Sequence, residues 1–159
     1  MRTLDVTNKE ALEAFKLFQI STRMTFKEIL SLVYSLAVIK KLLKDINHQD
    51  KDLSLVGISH LRELFLHSSQ IKEIPKELGN LINIRYLSLS RNQIKEIPKE
   101  LGNLINLKKL YISNNQITEI PKELGNLTNL QILSLSNNPI IEIPAEILQL
   151  KEKGLIILL

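Results

Sequence analysis

From Leu61 onward the apolar residues follow one pattern, L-x-x-L-x-L-x-x-N, which returns every 23 residues. The copies run LRELFLHSSQIKEIPKELGNL from Leu61, IRYLSLSRNQIKEIPKELGNL from Ile84, LKKLYISNNQITEIPKELGNL from Leu107 and LQILSLSNNPIIEIPAEILQL from Leu130. Counting from those first residues, positions 4 and 6 are Leu64/Leu66, Leu87/Leu89, Leu110/Ile112 and Leu133/Leu135. Alternation with period two predicts a short strand, with these side chains inward and positions 3, 5 and 7 outward. Four such units in register predict a stack in which each strand pairs with its copy in the next repeat, about 4.8 Å away.

Position 9 holds Asn92, Asn115 and Asn138, with Ser69 in the first copy. The chain leaves the strand here, and a buried backbone without sheet partners needs another source of hydrogen bonds. An asparagine amide both donates and accepts, so these residues are expected to form a structural ladder, of which Ser69 can supply only part. Two inward isoleucines follow in each copy: Ile71/Ile74, Ile94/Ile97, Ile117/Ile120 and Ile140/Ile143. Pro75, Pro98, Pro121 and Pro144 have the fixed φ suited to the first position of a helical turn. Gly79, Gly102 and Gly125 are expected to stop those turns; the fourth copy has leucine instead, so its exit should differ.

The two ends depart from the repeat. Residues 1–52 are expected to be helical: Thr7-Asn8-Lys9-Glu10 and Thr25-Phe26-Lys27-Glu28 have capping-box spacing ahead of apolar stretches. Their expected role is a cap on the stack, which needs its terminal core covered. Leu55 and Ile58 fit the end of a repeat, so the repeats are expected to occupy residues 53–159, beginning with a half-repeat from Leu53. A truncated fifth strand closes the chain, with Ile156 and Leu158 expected inward and Leu155, Ile157 and Leu159 outward. Such an apolar edge is an association hazard and suggests a homo-oligomer through residues 155–159.

The phrase N-Q-I-x-x-I-P-K-E-L-G-N-L at 23-residue spacing resembles the typical and Ras-suppressor-like classes of leucine-rich repeat. The near-identical IPKELGNL copies are similar to repeat proteins of spirochaetes and other bacteria. The resemblance covers about 105 of 159 residues. It implies an α/β fold, a leucine-rich repeat solenoid with a curved parallel sheet on its concave face and short helical turns on its convex face. It also implies a non-catalytic scaffold for protein–protein interaction, with a bacterial effector or a surface-associated host-interaction protein as the alternative. Bacterial relatives that are ubiquitin ligases carry a catalytic cysteine in an added domain; this sequence has no cysteine.

Composition narrows the chemistry. Without cysteine there are no disulfides, thiolate metal sites or thiol nucleophiles, and a reducing, cytoplasmic setting is the simpler expectation, with non-classical secretion left open. The apolar run from Ile29 to Ile39 is 11 residues, well short of the roughly 20 that cross a bilayer. The net charge of +4 divides as +2 on residues 1–52 and +2 on residues 53–159, with no basic block to follow a phosphate backbone. His48, His60 and His67 lack metal-ligand spacing, and there is no glycine-rich phosphate loop. No cofactor, metal or catalytic residue is expected.

The outward strand positions carry the candidate site. From Leu61 onward the aromatics are Phe65, Tyr86 and Tyr111, all at outward positions, where aromatics used as core filler would not fall. Eight of the ten acidic residues in residues 53–159 fall at convex positions, while Arg85, Arg91, Lys108 and Lys109 lie on or beside the middle strands. Aromatics bordered by arginine are the composition of a protein-binding hot spot. The expected partner is a protein with an apolar centre and an acidic rim, rather than a nucleic acid or a membrane.

Overall fold

The computed structural model describes residues 61–159. The cap expected over residues 1–52 and the half-repeat from Leu53 lie outside the described residues. Five short strands form one parallel sheet in sequence order: β1 (Glu63–Phe65), β2 (Tyr86–Ser88), β3 (Lys109–Tyr111), β4 (Ile132–Ser134) and β5 (Ile156–Leu158). Leu64, Leu87 and Leu110 pair in register, so the 23-residue period becomes a straight column of leucines through the core. Seven positions per repeat form the core: the first residue, positions 4 and 6, the two isoleucines, and a pair from the turn (Leu78/Leu81, Leu101/Leu104, Leu124/Leu127, Ile147/Leu150). All are buried except Leu61, Ile140 and Ile143, in the first and last described repeats.

On the opposite side the chain makes 3-10 turns at Lys76–Asn80, Lys99–Asn103 and Lys122–Asn126. The prolines sit one residue earlier than expected. Pro75, Pro98 and Pro121 have φ near −65° but ψ of 133–135°, an extended conformation, and their carbonyls accept the first bond of each turn. The glycines also differ from expectation. They lie within the turns rather than after them, and none has positive φ. A Cβ on Gly79 would stand 2.2 Å from the carbonyl oxygen of Glu100, and one on Gly102 would stand 2.3 Å from that of Glu123. These glycines permit one turn to stack on the next.

In the fourth repeat Leu148 takes the glycine's place and the turn lengthens into helix α1 (Ala145–Glu152). The helix ends when the Leu155 N–H donates to the Leu150 carbonyl and the Gly154 N–H to that of Lys151, both at 3.0 Å. Gly154 has φ +107°, the left-handed backbone that such an ending requires. This exit takes one more residue than the 3-10 turns, and it overturns the expected register of the fifth strand. Leu133 pairs with Ile157, 24 residues on. Leu155 is therefore buried and Ile157 half-buried, while Ile156 and Leu158 are exposed. One-residue slippage exchanges the two faces of a strand.

Candidate functional site

The concave sheet is held at its descending edge by asparagines. Asn92 Oδ1 accepts from the backbone N–H of Ser69 and Ile71, each at 3.0 Å, while its Nδ2 donates to the carbonyls of Leu66 and Leu89, each at 2.8 Å. One side chain thus ties two repeats together. Asn115 Oδ1 accepts from the Ile94 N–H, and its Nδ2 donates to Leu89 and Ile112. Asn138 repeats the arrangement with Ile117, Ile112 and Leu135. Ser69 does less: its hydroxyl donates to the His67 carbonyl in its own repeat, at 3.2 Å. Sequence reading missed a second asparagine row at the other edge, where Asn106 donates to Ile82 and Asn129 to Ile105. Its signal was the asparagine immediately before the second, third and fourth copies, Asn83, Asn106 and Asn129.

Between these edges the outward residues stand in rows. One row runs Glu63, Tyr86, Lys109, Ile132, Ile156; the next runs Phe65, Ser88, Tyr111, Ser134, Leu158. Phe65 is exposed, and Tyr86 and Tyr111 are half-buried on the two adjoining strands. Lys109 Nζ lies 5.3 Å from the centroid of the Tyr86 ring, close enough for a cation–π contact. Arg85 and Arg91 are exposed, Lys108 and Lys109 half-buried. Arg62, which the sequence reading passed over, is exposed one repeat before Arg85, and its carbonyl accepts the Arg85 N–H at 2.6 Å. The concave rows and their rims therefore carry Arg62, Arg85, Arg91, Lys108 and Lys109 against a single carboxylate, Glu63.

Beyond the ladder, a shallow open groove of about 570 Å³ runs between Lys72, Gln93, Lys95 and Glu96, away from the concave rows. Its walls mix both charges, with Ile74 and Pro98 as the apolar part of the lining. Among the described residues no cluster of three His, Asp or Glu side chains could hold a metal ion, and no helix is long and apolar enough to cross a membrane.

The profile of the leucine rich repeat family matches residues 59–117 and 82–140. Among solved structures, a leucine-rich repeat protein of Leptospira interrogans is 44% identical with a TM-score of 0.61, over 69% of this chain and 28% of that one. Internalin C2 of Listeria monocytogenes is 32% identical with a TM-score of 0.57, over 65% of this chain and 44% of its own. The leucine-rich repeat ectodomain of the Arabidopsis thaliana receptor kinase GASSHO1/SCHENGEN3, in complex with Casparian strip integrity factor 2, is 41% identical with a TM-score of 0.55. That match covers 59% of this chain and 12% of the ectodomain. The chain thus spans less than half the length of each of these proteins. A search of curated proteins found no match.

Proposed function

We propose that this chain, which belongs to the leucine-rich repeat family, is a non-catalytic scaffold that binds a partner protein through its concave face. The observation that carries the reading is the concentration of Phe65, Tyr86 and Tyr111 on three adjacent outward strands amid five cationic side chains. Tyr86 and Tyr111, already half-buried on the sheet, lose little side-chain freedom on binding, and the surrounding cations steer an acidic surface toward them and Phe65. The partner is accordingly a protein, apolar at its centre and acidic at its rim, and the reducing cytoplasm is the setting assigned to it. The receptor ectodomain in complex with Casparian strip integrity factor 2 gives a precedent for ligand binding by a related fold. Nucleic acid suits the face less well, because its cations end at the third strand and form no continuous basic track for a phosphate backbone.

Pull-downs from native lysate with the wild-type chain, Tyr111→Ala and Lys99→Glu as parallel baits test this. A protein retained by wild type and Lys99→Glu but lost with Tyr111→Ala supports the reading. The reverse pattern overturns it, as does salt-sensitive retention of nucleic acid in place of protein.

A second reading, that the chain also pairs with itself, rests on β5. Ile156 N–H and the Leu158 carbonyl bond toward β4, to Gln131 and Leu135, so the backbone groups of Ile157 face the open edge. Two antiparallel copies of β5 related by a two-fold axis at Ile157 would exchange a pair of N–H···O bonds there. Exposed Ile156 of each copy would then oppose exposed Leu158 of the other.

A further inference from the structure

Ser88 is a small side chain set among larger ones on the concave face, and every aromatic residue among the described ones borders it. Phe65 and Tyr111 are its in-register neighbours on β1 and β3, and Tyr86 precedes it by two residues on the same face of β2. Its fourth neighbour is Ser90, so the depression opens in one direction, toward Ser90 and Arg91. The corresponding gap two steps along the row is already closed: Ser134 is buried, and its hydroxyl pairs with that of Ser113 at 2.6 Å.

Arg91 adds an independent observation. It holds φ +58°, a left-handed backbone, at a position occupied in the next two repeats by Asn114 and Asn137. Asparagine tolerates that conformation through its short polar side chain; arginine gains nothing from it locally. Asn137 also donates to Asn114 at 3.1 Å, a bond that arginine does not continue. The left-handed turn itself belongs to the fold, since Ser68 holds φ +57° at the same position of the first repeat; what is particular to this repeat is the exposed guanidinium placed at the open side of Ser88.

We infer that Ser88 floors a seat for one branched aliphatic side chain of the partner, and that Arg91 receives an acidic residue beside it. This rests on the concave-face reading and names what that face selects. The seat's width follows from the sheet: two strand spacings set Phe65 and Tyr111 about 10 Å apart. Carbon contacts of about 3.7 Å on each wall leave about 2.5 Å, the separation of the two methyl groups of a leucine or valine. A flat ring or a straight chain would leave one wall unmatched. A cation, which aromatic walls could otherwise hold, is repelled by Arg85 and Arg91 and forestalled at Tyr86 by Lys109. Arg91 is three residues on from Ser88, at most about 10 Å along the chain, so in an extended partner, where alternate residues share a face, the carboxylate lies two or four residues from the aliphatic side chain.

The full chain, immobilised and panned with a phage-displayed library of random peptides, tests the seat directly. Enriched peptides should carry Leu, Ile or Val with Asp or Glu two or four residues away. In fluorescence polarisation, replacing the aliphatic residue by alanine should weaken binding at least tenfold. Ser88→Leu, which fills the depression on an outward position, should do the same while the thermal unfolding midpoint stays put. Arg91→Asn should weaken acidic peptides severalfold and leave neutral variants of them unchanged. Peptides weakened by Tyr111→Ala but not by Ser88→Leu would overturn the seat and leave the concave-face reading standing. Peptides weakened by Lys99→Glu and not by Tyr111→Ala would overturn both. A library yielding no binder, or binders without an aliphatic residue, would overturn the seat.

Discussion

Gly79 and Glu100 lie so close that a single added carbon on the glycine would come within 2.2 Å of the glutamate carbonyl oxygen. The contact repeats between Gly102 and Glu123, and it sets how tightly the convex turns stack. Close stacking on the convex side and strand pairing on the concave side together fix the spacing of the binding rows. Gly102→Ala, between two complete repeats, should therefore cost about 2–3 kcal/mol, because the clash is with backbone and cannot relax by rotamer change. Urea unfolding would measure it. A midpoint equal to wild type would mean the turns are more loosely stacked than described.

Asn115→Ala should be destabilising for a different reason. The amide is 8% exposed and serves Ile94 N–H and the carbonyls of Leu89 and Ile112. Removing it leaves buried backbone groups unpaired, at a cost of about 1–3 kcal/mol. Equilibrium denaturation of the variant should show a lower midpoint with an unaltered slope; no change in midpoint would refute the ladder's structural role.

Arg91→Asn should move stability and binding in opposite directions. Asparagine relieves the φ of +58° and restores the residue type of Asn114 and Asn137, for a gain of up to about 1 kcal/mol. Loss of the guanidinium should weaken acidic ligands. A variant that is less stable than wild type would remove the argument that Arg91 is retained for function.

Self-association through β5 predicts a variant that is monomeric yet stable. Ile156 is 56% exposed and points away from the core, so Ile156→Lys should abolish a dimer without lowering the melting temperature. Ile157→Lys would not serve, since Ile157 packs against the core. Sedimentation velocity of the wild-type chain that shows only monomer at high concentration would end this reading.

The core was legible in the sequence because period-two alternation and a 23-residue repeat leave little freedom: Leu64, Leu87 and Leu110 could only form one column. The fifth strand was not, because counting 23 residues assumes a 3-10 exit. Leu148 and Gly154 instead build a helix with a left-handed ending, which consumes an extra residue. The glycines were misread for a related reason. A glycine after a helical pattern suggests a stop, whereas the close approach of Glu100 to Gly79 is a contact between repeats that no single copy reveals. In the candidate site the outward aromatics followed from position alone. Ser88 did not, because its importance lies in having three larger neighbours on two other strands and its own.

Affinity for the partner protein, measured by isothermal titration on two single variants, tests the concave-face account most directly. Tyr111 is on β3 at an outward position, and Lys99 is exposed on the convex turn. The account predicts that Tyr111→Ala loses about 2 kcal/mol, roughly 30-fold in Kd, with its unfolding midpoint unchanged, while Lys99→Glu stays within about twofold of wild type. Binding that survives Tyr111→Ala and collapses with Lys99→Glu would contradict it.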